Sequence, residues 1–237
     1  MDLALQLENI ESGYGEVQVL WGISLQIVRG RLTTIIGANG AGKTTTLRTT
    51  MGSLRSWKGR VLLYGDDVTR LSPHAKANRG LVLVPEGRQL FPDMTVEENL
   101  DMGGYSHRAR RRHKQNLDRV YDLFPRLKER RTQKSSTLSG GEQQMLAMGR
   151  GLMQEPEILM IDELSLGLAP VLAQQLFLTL KTLRDQGLTI VLVEQNVHLA
   201  LTLSDETYVL SEGRISIQGD SHEVAKMDEV REAYLGL

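Results

Sequence analysis

The chain has 237 residues, of which 41% are hydrophobic and 24% are charged, and its formal net charge is -1. This composition is ordinary for a globular protein, and the near-neutral charge argues against nucleic acid as the main partner. The absence of cysteine excludes disulfides and thiol chemistry. With no signal-like amino terminus and no apolar run near the ~18 residues of a membrane span, we expect a cytoplasmic chain that reaches any membrane through a partner.

Alternating apolar residues predict two antiparallel strands near the amino terminus, around residues 3–7 and 23–27. Between them, residues 12–15 read Ser-Gly-Tyr-Gly and predict a turn. Tyr14 in this turn is either a surface residue or an aromatic ring that stacks on a purine base.

A glycine-rich stretch after the apolar run 32–36 predicts a phosphate loop (residues 37–45). It reads Gly-Ala-Asn-Gly-Ala-Gly-Lys-Thr-Thr and matches G-x-x-x-x-G-K-[ST] between a strand and a helix start. Glycines let the backbone approach phosphate, and successive N–H groups and the helix dipole then face the anion. Lys43 can reach the β- and γ-phosphates, and the Thr44 hydroxyl can ligate Mg²⁺. The predicted nucleotide-binding residues here are Gly37, Asn39, Gly40, Gly42, Lys43, Thr44 and Thr45.

Residues 61–64 and 80–84 are predicted to be strands, and the continuous apolar runs 158–161 and 188–193 predict strands that are covered on both faces. Leucines at helical spacing between the last two runs, with Pro170 near the start and Gly187 past the end, predict a helix. Strand, helix and strand in this order imply a right-handed crossover and a parallel sheet. A hairpin over residues 208–217 is predicted to precede a polar helical tail.

Residues 87–156 carry helical signals and little strand-like sequence, so we expect a helical insertion. Thr95 and Glu98 fit a capping box, and residues 117–127 form an amphipathic stretch. The basic run 107–114 favours a solvated helix face, with an acidic partner surface or lipid head groups as alternatives and nucleic acid as a lesser one.

Two carboxylates end one of the predicted buried strands. Residues 157–163 read Glu-Ile-Leu-Met-Ile-Asp-Glu, and ligands bind at the carboxyl ends of parallel strands. Asp162 would hold Mg²⁺, and Glu163 would face the γ-phosphate and position or deprotonate the attacking water. The same pattern alone also fits a strand that ends in a capped acidic turn, but together with the phosphate loop it predicts ATP hydrolysis.

A second anion site is predicted at the signature segment (residues 138–144), which reads Leu-Ser-Gly-Gly-Glu-Gln-Gln and opens a helix. Its candidate nucleotide-binding residues are Ser139, Gly140, Gly141 and Glu142. One nucleotide does not need two such sites, so the second is expected to serve another nucleotide.

With these three motifs, the sequence resembles the ATP-binding cassette (ABC) ATPases over its whole length. The resemblance implies a single α/β domain, in which residues 1–86 and 157–237 form a P-loop RecA-like core with an antiparallel β-subdomain and residues 87–156 form a helical subdomain. It also implies that two cassettes sandwich two ATP molecules with Mg²⁺, each held by the phosphate loop of one cassette and the signature segment of the other. The family places an aromatic ring on the adenine where Tyr14 lies.

The chain departs from the family pattern in four places. Glu86 replaces the common Gln and is expected to remain a Mg²⁺ ligand. Leu164 replaces a Pro after the carboxylate pair, and Ala169 replaces an Asp that communicates across the dimer in many members. Gln195 replaces the usual switch His, so it can donate to a γ-phosphate but cannot carry a positive charge. His198 is expected to point elsewhere if a helix follows.

Several short stretches are similar to one subgroup, the LivF-type ATPases of branched-chain amino acid importers, with urea and amide importer ATPases close behind. The stretches are residues 84–88, 91–92, 95–100, 167–170 and 193–196. The resemblance implies a second ATPase subunit as partner, in a hetero- or homodimer, with membrane permease subunits, a periplasmic binding protein, and a location on the inner face of the cell membrane. The alternative is a soluble ABC-type ATPase in assembly or regulation. A DNA-maintenance ATPase is disfavoured, because no sustained heptads separate the phosphate loop from the signature segment.

Overall fold

The computed structural model describes residues 2–232. Its strands are β1 (Leu3–Tyr14), β2 (Val17–Val28), β3 (Leu32–Ile36), β4 (Lys58–Leu63), β5 (Asp66–Asp67), β6 (Leu81–Val84), β7 (Ile158–Asp162), β8 (Thr189–Glu194), β9 (Glu206–Ser211) and β10 (Arg214–Asp220). Its helices are α1 (Lys43–Met51), α2 (Pro73–Asn78), α3 (Val96–Gly103), α4 (His107–Arg110), α5 (His113–Leu123), α6 (Pro125–Glu129), α7 (Gly140–Leu152), α8 (Pro170–Asp185), α9 (Val197–Leu203), α10 (Ser221–Val224) and α11 (Asp228–Val230). Within residues 2–232, none of the helices combines the length and the hydropathy of a membrane span.

Two sheets organise these strands. The smaller sheet has the order β2-β1-β4-β5 and is antiparallel. The larger has the order β10-β9-β3-β8-β7-β6 and is parallel except between β9 and β10. Helix α8 connects the neighbouring parallel strands β7 and β8, so the predicted parallel sheet is confirmed. Because β3, β8 and β7 are parallel neighbours, the segments that follow them leave the same edge of the sheet.

The central strands are buried on both faces, which explains their continuous apolar sequences. Every residue of β3, β7 and β8 is buried. Along β7, Leu159 and Ile161 pack with α7 and α8, whereas Ile158 and Met160 pack with α1 and the antiparallel sheet. Side chains alternate between the faces of a strand, so a strand covered on both sides has no polar face in its sequence.

The chain between β6 and β7 contains helices α3 to α7. Thr95 caps α3: its Oγ1 accepts from the Glu98 N–H at 3.2 Å, and Glu98 Oε2 accepts from the Thr95 N–H at 2.7 Å, which confirms the capping box. The amphipathic stretch 117–127 is divided between α5 and α6. Pro125 causes the break, because proline lacks an N–H and disfavours helical backbone at the preceding Phe124.

The basic run 107–114 is not one solvated helix face, because it spans the whole of α4 and the start of α5. Arg108 Nη1 lies 2.7 Å from Glu157 Oε1, and Arg108 Nε donates to the Glu155 carbonyl at 3.1 Å. The other three arginines of the run are exposed. The prediction of a solvated face is therefore wrong for Arg108, which ties the helical segment to the residue before β7.

The first hairpin turns later than predicted. Strand β1 continues to Tyr14, which pairs with Val17, so residues 15–16 form the connection. A φ of 58° at Gly15 suits a two-residue hairpin turn. Gly13 belongs to the strand, and a Cβ at this position would collide with the carbonyl oxygen of Val17.

The later elements follow the predictions from the sequence. The hairpin over residues 208–217 is confirmed as β9 and β10, and the polar tail begins with α10 and α11. The end of the predicted tail, residues 233–237, lies outside the described residues.

Lys76 is a buried cation next to the helix that follows the phosphate loop. Its side chain is fully buried, and Nζ donates to the Thr50 carbonyl in the last turn of α1 at 2.6 Å. Burial lowers the pKa of Lys76 from 10.5 to about 8, although Asp67 opposes the shift. The folded protein therefore releases this proton near pH 8, whereas the unfolded chain keeps it up to its ordinary pKa.

We expect the Lys76 contribution to stability to rise with pH between about 8 and 10.5, because unfolding takes up a proton only in this window. Urea unfolding of the wild type and of Lys76→Met at several pH values isolates the effect, since all other groups are shared. Relative to Lys76→Met, the unfolding free energy of the wild type should rise by about 2–3 kcal/mol between these two pH values. Parallel pH profiles would show that the buried amine does not titrate there.

Candidate functional site

The phosphate loop joins β3 to α1, and its backbone requires glycine at specific positions. Gly40 and Gly42 have φ values of 81° and 107°, in the region that favours glycine. At Gly37 a Cβ would collide with the carbonyl oxygen of Leu210 in β9. Helix α1 begins at Lys43, so its first N–H groups, which have no partner inside the helix, face the loop.

The Lys43 ammonium lies inside this loop. The residue is only 5% exposed, and Nζ donates to the carbonyls of Gly37 at 2.9 Å and Ala38 at 3.2 Å. A positive charge is thus held beside the free N–H groups of α1. This arrangement suits a multiply charged phosphate group.

Asp162, the last residue of β7, meets the first turn of α1. Its Oδ1 accepts from the Thr44 hydroxyl at 3.0 Å, and the residue is 3% exposed. Burial raises the pKa of Asp162 to about 6; the Thr44 hydrogen bond opposes the shift, and the charges of Glu86 and Glu163 add to it. Carboxylate and hydroxyl oxygens are the ligands that Mg²⁺ prefers, and a cation would relieve the repulsion among the carboxylates, so these residues fit Mg²⁺.

Glu163 and Gln195 meet at the same sheet edge. The Gln195 amide Nε2 donates to Glu163 Oε1 at 2.6 Å. Glu163 has a φ of 54°, an uncommon value for a residue with a side chain, and its N–H donates to the Val193 carbonyl at 2.9 Å. Such a conformation persists only where the surroundings fix it, as they do at many active sites.

Glu194, at the end of β8, was missed in the sequence analysis. The residue is 1% exposed, and its carboxylate accepts from the Ser165 N–H at 2.7 Å, the Gln195 N–H at 3.1 Å and the Asn196 N–H at 3.2 Å. Burial raises the pKa of Glu194, while these N–H donors oppose the shift. Glu194 therefore joins the segment after Glu163 to the segment that carries Gln195. The sequence feature that could have identified Glu194 is a single acidic residue at the end of a continuous apolar strand.

Most of the predicted site residues line one cavity of about 450 Å³. It is lined by Tyr14, Val19, Asn39, Gly40, Gly42, Lys43, Thr44, Thr45, Glu86, Glu163 and Gln195. Tyr14 is 44% exposed, and its hydroxyl accepts from Arg48 Nη1 at 3.4 Å. A cavity of this size is typical of small-molecule sites.

The signature segment does not line this cavity. Ser139 caps α7 and is exposed. Glu142 Oε2 accepts from the Ser139 N–H at 2.9 Å, and Glu142 Oε1 lies 2.7 Å from Arg130 Nε. Within the chain, Glu142 thus completes the cap, while the exposed helix start at Ser139 and Gly140 faces outward.

The remaining positions of interest differ in their surroundings. Leu164 is fully buried, and Ala169 occupies the N-cap position of α8 without a side-chain capping hydrogen bond. His198 lies on α9, is exposed and does not line the cavity, whereas Gln195 does.

Comparisons with known proteins agree with this architecture. Residues 20–165 match the family model described as ABC transporter. The chain is 44% identical over 232 residues to the high-affinity branched-chain amino acid transport ATP-binding protein BraG of Pseudomonas aeruginosa, covering 98% of this chain and 99% of that protein. It is 36% identical to the probable branched-chain amino acid transport ATP-binding protein LivF of Archaeoglobus fulgidus, with the same coverage. A solved nucleotide-free ATP-binding cassette from an ABC transporter matches with a TM-score of 0.86 and 28% identity, covering 99% of this chain and 100% of that one.

Proposed function

Because this chain belongs to the ABC transporter family as an ATP-binding cassette ATPase, we propose that it is the ATP-hydrolysing subunit of an importer for branched-chain amino acids. One observation carries the proposal: the phosphate loop, the carboxylates that follow β7 and the Gln195 amide converge at one cavity. The amino acid class rests on the relatives named above, which cover nearly the whole chain.

In the proposed site, the phosphate loop binds the β- and γ-phosphates through its N–H groups and Lys43. Thr44, Asp162 and Glu86 supply the oxygen ligands for Mg²⁺, which neutralises charge on the phosphates. The close approach of Asp162 to Thr44 supports this assignment.

Glu163 is the proposed general base for the attacking water. The Gln195 amide orients it through the 2.6 Å hydrogen bond to Oε1 and can also donate to the γ-phosphate. This amide keeps the same charge at every ordinary pH, so Gln195 would act as a fixed donor where a histidine would titrate.

The signature segment is proposed to complete the nucleotide site of a second cassette. Its exposed helix start supports this role, since N–H groups there can donate to a phosphate from outside the chain. The second cassette would be a copy of this chain or a different ATPase subunit, and both would attach to permease subunits on the inner face of the membrane. A substrate-binding protein outside the membrane would deliver the amino acid.

Uptake of radiolabelled leucine and of urea by cells that carry the wild-type chain, or Glu163→Gln in its place, tests the proposal. Leucine uptake that depends on Glu163, with urea uptake unchanged, is the expected result. Loss of urea uptake instead would contradict the amino acid assignment. Normal uptake of both would remove this chain from transport of either substrate.

Tyr14 is proposed to stack on the adenine, which supplies a separate prediction. We expect Tyr14→Ala to weaken ATP binding about tenfold and Tyr14→Phe to leave it nearly unchanged, because base stacking on an aromatic ring contributes about 1–3 kcal/mol. Equilibrium binding of ATP and of tripolyphosphate measures the effect, and only ATP should be weakened. Trp21→Ala, at an aromatic residue with the same 44% exposure outside the cavity lining, is the control. Equal weakening of both ligands would contradict stacking.

A further inference from the structure

A second cavity lies at the edge of the parallel sheet opposite the phosphate loop. Its volume is about 450 Å³, and residues 155–157 and 186–188, which precede β7 and β8, contribute to its lining. The nucleotide cavity is instead lined by Glu163 and Gln195, which follow the same two strands. Because β7 has five residues and a strand rises about 3.3 Å per residue, about 17 Å of strand separates the two cavities. The second cavity is therefore a distinct site.

The charged lining of the second cavity is mostly positive. It contains four arginines and two glutamates, which are Arg29, Arg108, Arg112, Arg119, Glu155 and Glu157. Arg108 and Glu157 satisfy each other at 2.7 Å, whereas Arg112 lies 3.9 Å from Glu155, at the outer limit of an ion pair. The lining keeps a formal surplus of two positive charges, and like charges around one cavity repel one another.

Two of these arginines have little compensation for their charge. Arg119 Nη2 donates to a neutral amide oxygen, Gln186 Oε1, at 2.6 Å. Arg29 lies 3.6 Å from Asp2, which is outside the cavity lining, and both side chains are mostly exposed, so this ion pair stabilises little. An anion in the cavity would compensate both arginines.

One wall of the second cavity is a single face of α5. Arg112, Gln115, Asn116 and Arg119 line the cavity, and their spacings of three and four residues place them on the same side of the helix. Asn116 Nδ2 is buried and has no hydrogen-bond partner among the described residues. Such a donor is rare, because its lost bond to water is not replaced. A half-turn of the amide exchanges Nδ2 and Oδ1, so Asn116 can offer either atom to a ligand.

The composition of the lining indicates the chemistry of a ligand. Guanidinium groups match the oxygens of phosphate and carboxylate with paired donors, and the cavity has a volume typical of small-molecule sites. Val120 and Leu188 add apolar surface for the remainder of such a molecule. Since Arg119 belongs to α5 and Arg29 to the segment before β3, one ligand would contact two separate parts of the chain.

We propose that the second cavity binds a small molecule with a phosphate or polycarboxylate group, held by Arg29, Arg112 and Arg119 together with the Asn116 amide. The recognised feature is a multivalent oxyanion. This site shares no residue with the nucleotide cavity, so the inference does not depend on the proposed function.

Hydrogen exchange of the full chain with pyrophosphate or citrate, against sodium chloride at equal ionic strength and without Mg²⁺, tests the inference. We expect a multivalent anion to slow exchange about threefold or more in peptides covering residues 113–123 and 185–190. A response to pyrophosphate alone would identify phosphate as the bound group, and a response to citrate alone would identify carboxylate. A response to neither anion would overturn the inference, as would an equal response to sodium chloride, which only screens charge.

Arg119→Met and Arg29→Met should each reduce the response of both peptides to less than half. Arg29 lies outside α5, so its effect on the peptide 113–123 does not come from a disturbed helix. Arg111→Met is the matched control, because Arg111 is exposed, removes the same charge and does not line the cavity. It should keep the response. Full retention in Arg119→Met or Arg29→Met, or an equal loss in Arg111→Met, would overturn the inference.

Pyrophosphate also suits the phosphate loop, so the peptide covering residues 37–46 is followed in the same experiment. Lys43→Ala should lose the response at 37–46 and keep the one at 113–123. Loss of both responses in Lys43→Ala would show that the change at α5 arises from the phosphate loop. That result would overturn the second site and leave the proposed nucleotide site intact.

Discussion

Glu163→Gln is expected to bind ATP with near wild-type affinity and to hydrolyse it about 10²–10⁴ times more slowly, the usual contribution of a general base. Glu163 is 9% exposed in the cavity beside the phosphate loop. The amide matches the carboxylate in size and keeps an oxygen to accept from Gln195 Nε2, so the local geometry should survive. It cannot take a proton from water. Its neutrality also removes one charge next to Asp162, so phosphate binding should not suffer.

Phosphate release at saturating ATP and Mg²⁺, together with equilibrium nucleotide binding, checks this expectation. Glu157→Gln is the matched control, because Glu157 precedes β7 at the opposite edge of the sheet and pairs there with Arg108. It should leave hydrolysis unchanged. Turnover of Glu163→Gln near the wild-type rate would remove Glu163 from the role of base.

The parts of the fold that the sequence predicted are those fixed by local patterns. The continuous apolar runs that became β7 and β8 have no polar face because they are covered on both sides. The phosphate loop can also be recognised from the sequence, because the geometry of one turn requires glycine, lysine and a hydroxyl at fixed spacing. The order of these segments then placed their ends at one sheet edge.

Features that depend on contacts between distant residues were not predictable in this way. The basic run looked like a solvated face because nothing nearby in the sequence marks Glu157 as the partner of Arg108. A hydrogen bond from Arg88 to Gln143 joins residues in separate elements, and the left-handed backbone at Arg88 has no signature in composition. Glu194 was hidden for the same reason, since its donors belong to two different loops.

Lys43→Ala is expected to weaken ATP binding at least about a hundredfold and, as a result, to abolish hydrolysis. Hydrogen bonds that involve a charged group contribute about 1.5–3 kcal/mol each, and two lost phosphate contacts correspond to roughly 10²–10⁴ in affinity. The Lys43 ammonium is buried and already held within the loop by the carbonyls of Gly37 and Ala38. Little conformational freedom therefore remains to be lost when phosphate binds.

The same two hydrogen bonds require a control for stability, because alanine leaves both carbonyls without the Lys43 donor. Urea unfolding of Lys43→Ala should show a loss of about 1–3 kcal/mol, which is small enough to leave the chain folded. Unchanged nucleotide affinity in the folded variant would contradict the assignment of the phosphate loop. Lys43→Ala should lose binding and turnover together, whereas Glu163→Gln should lose turnover alone. That contrast separates the group that holds the phosphates from the group that takes the proton, because a general disturbance of the shared cavity would lower both properties in both variants.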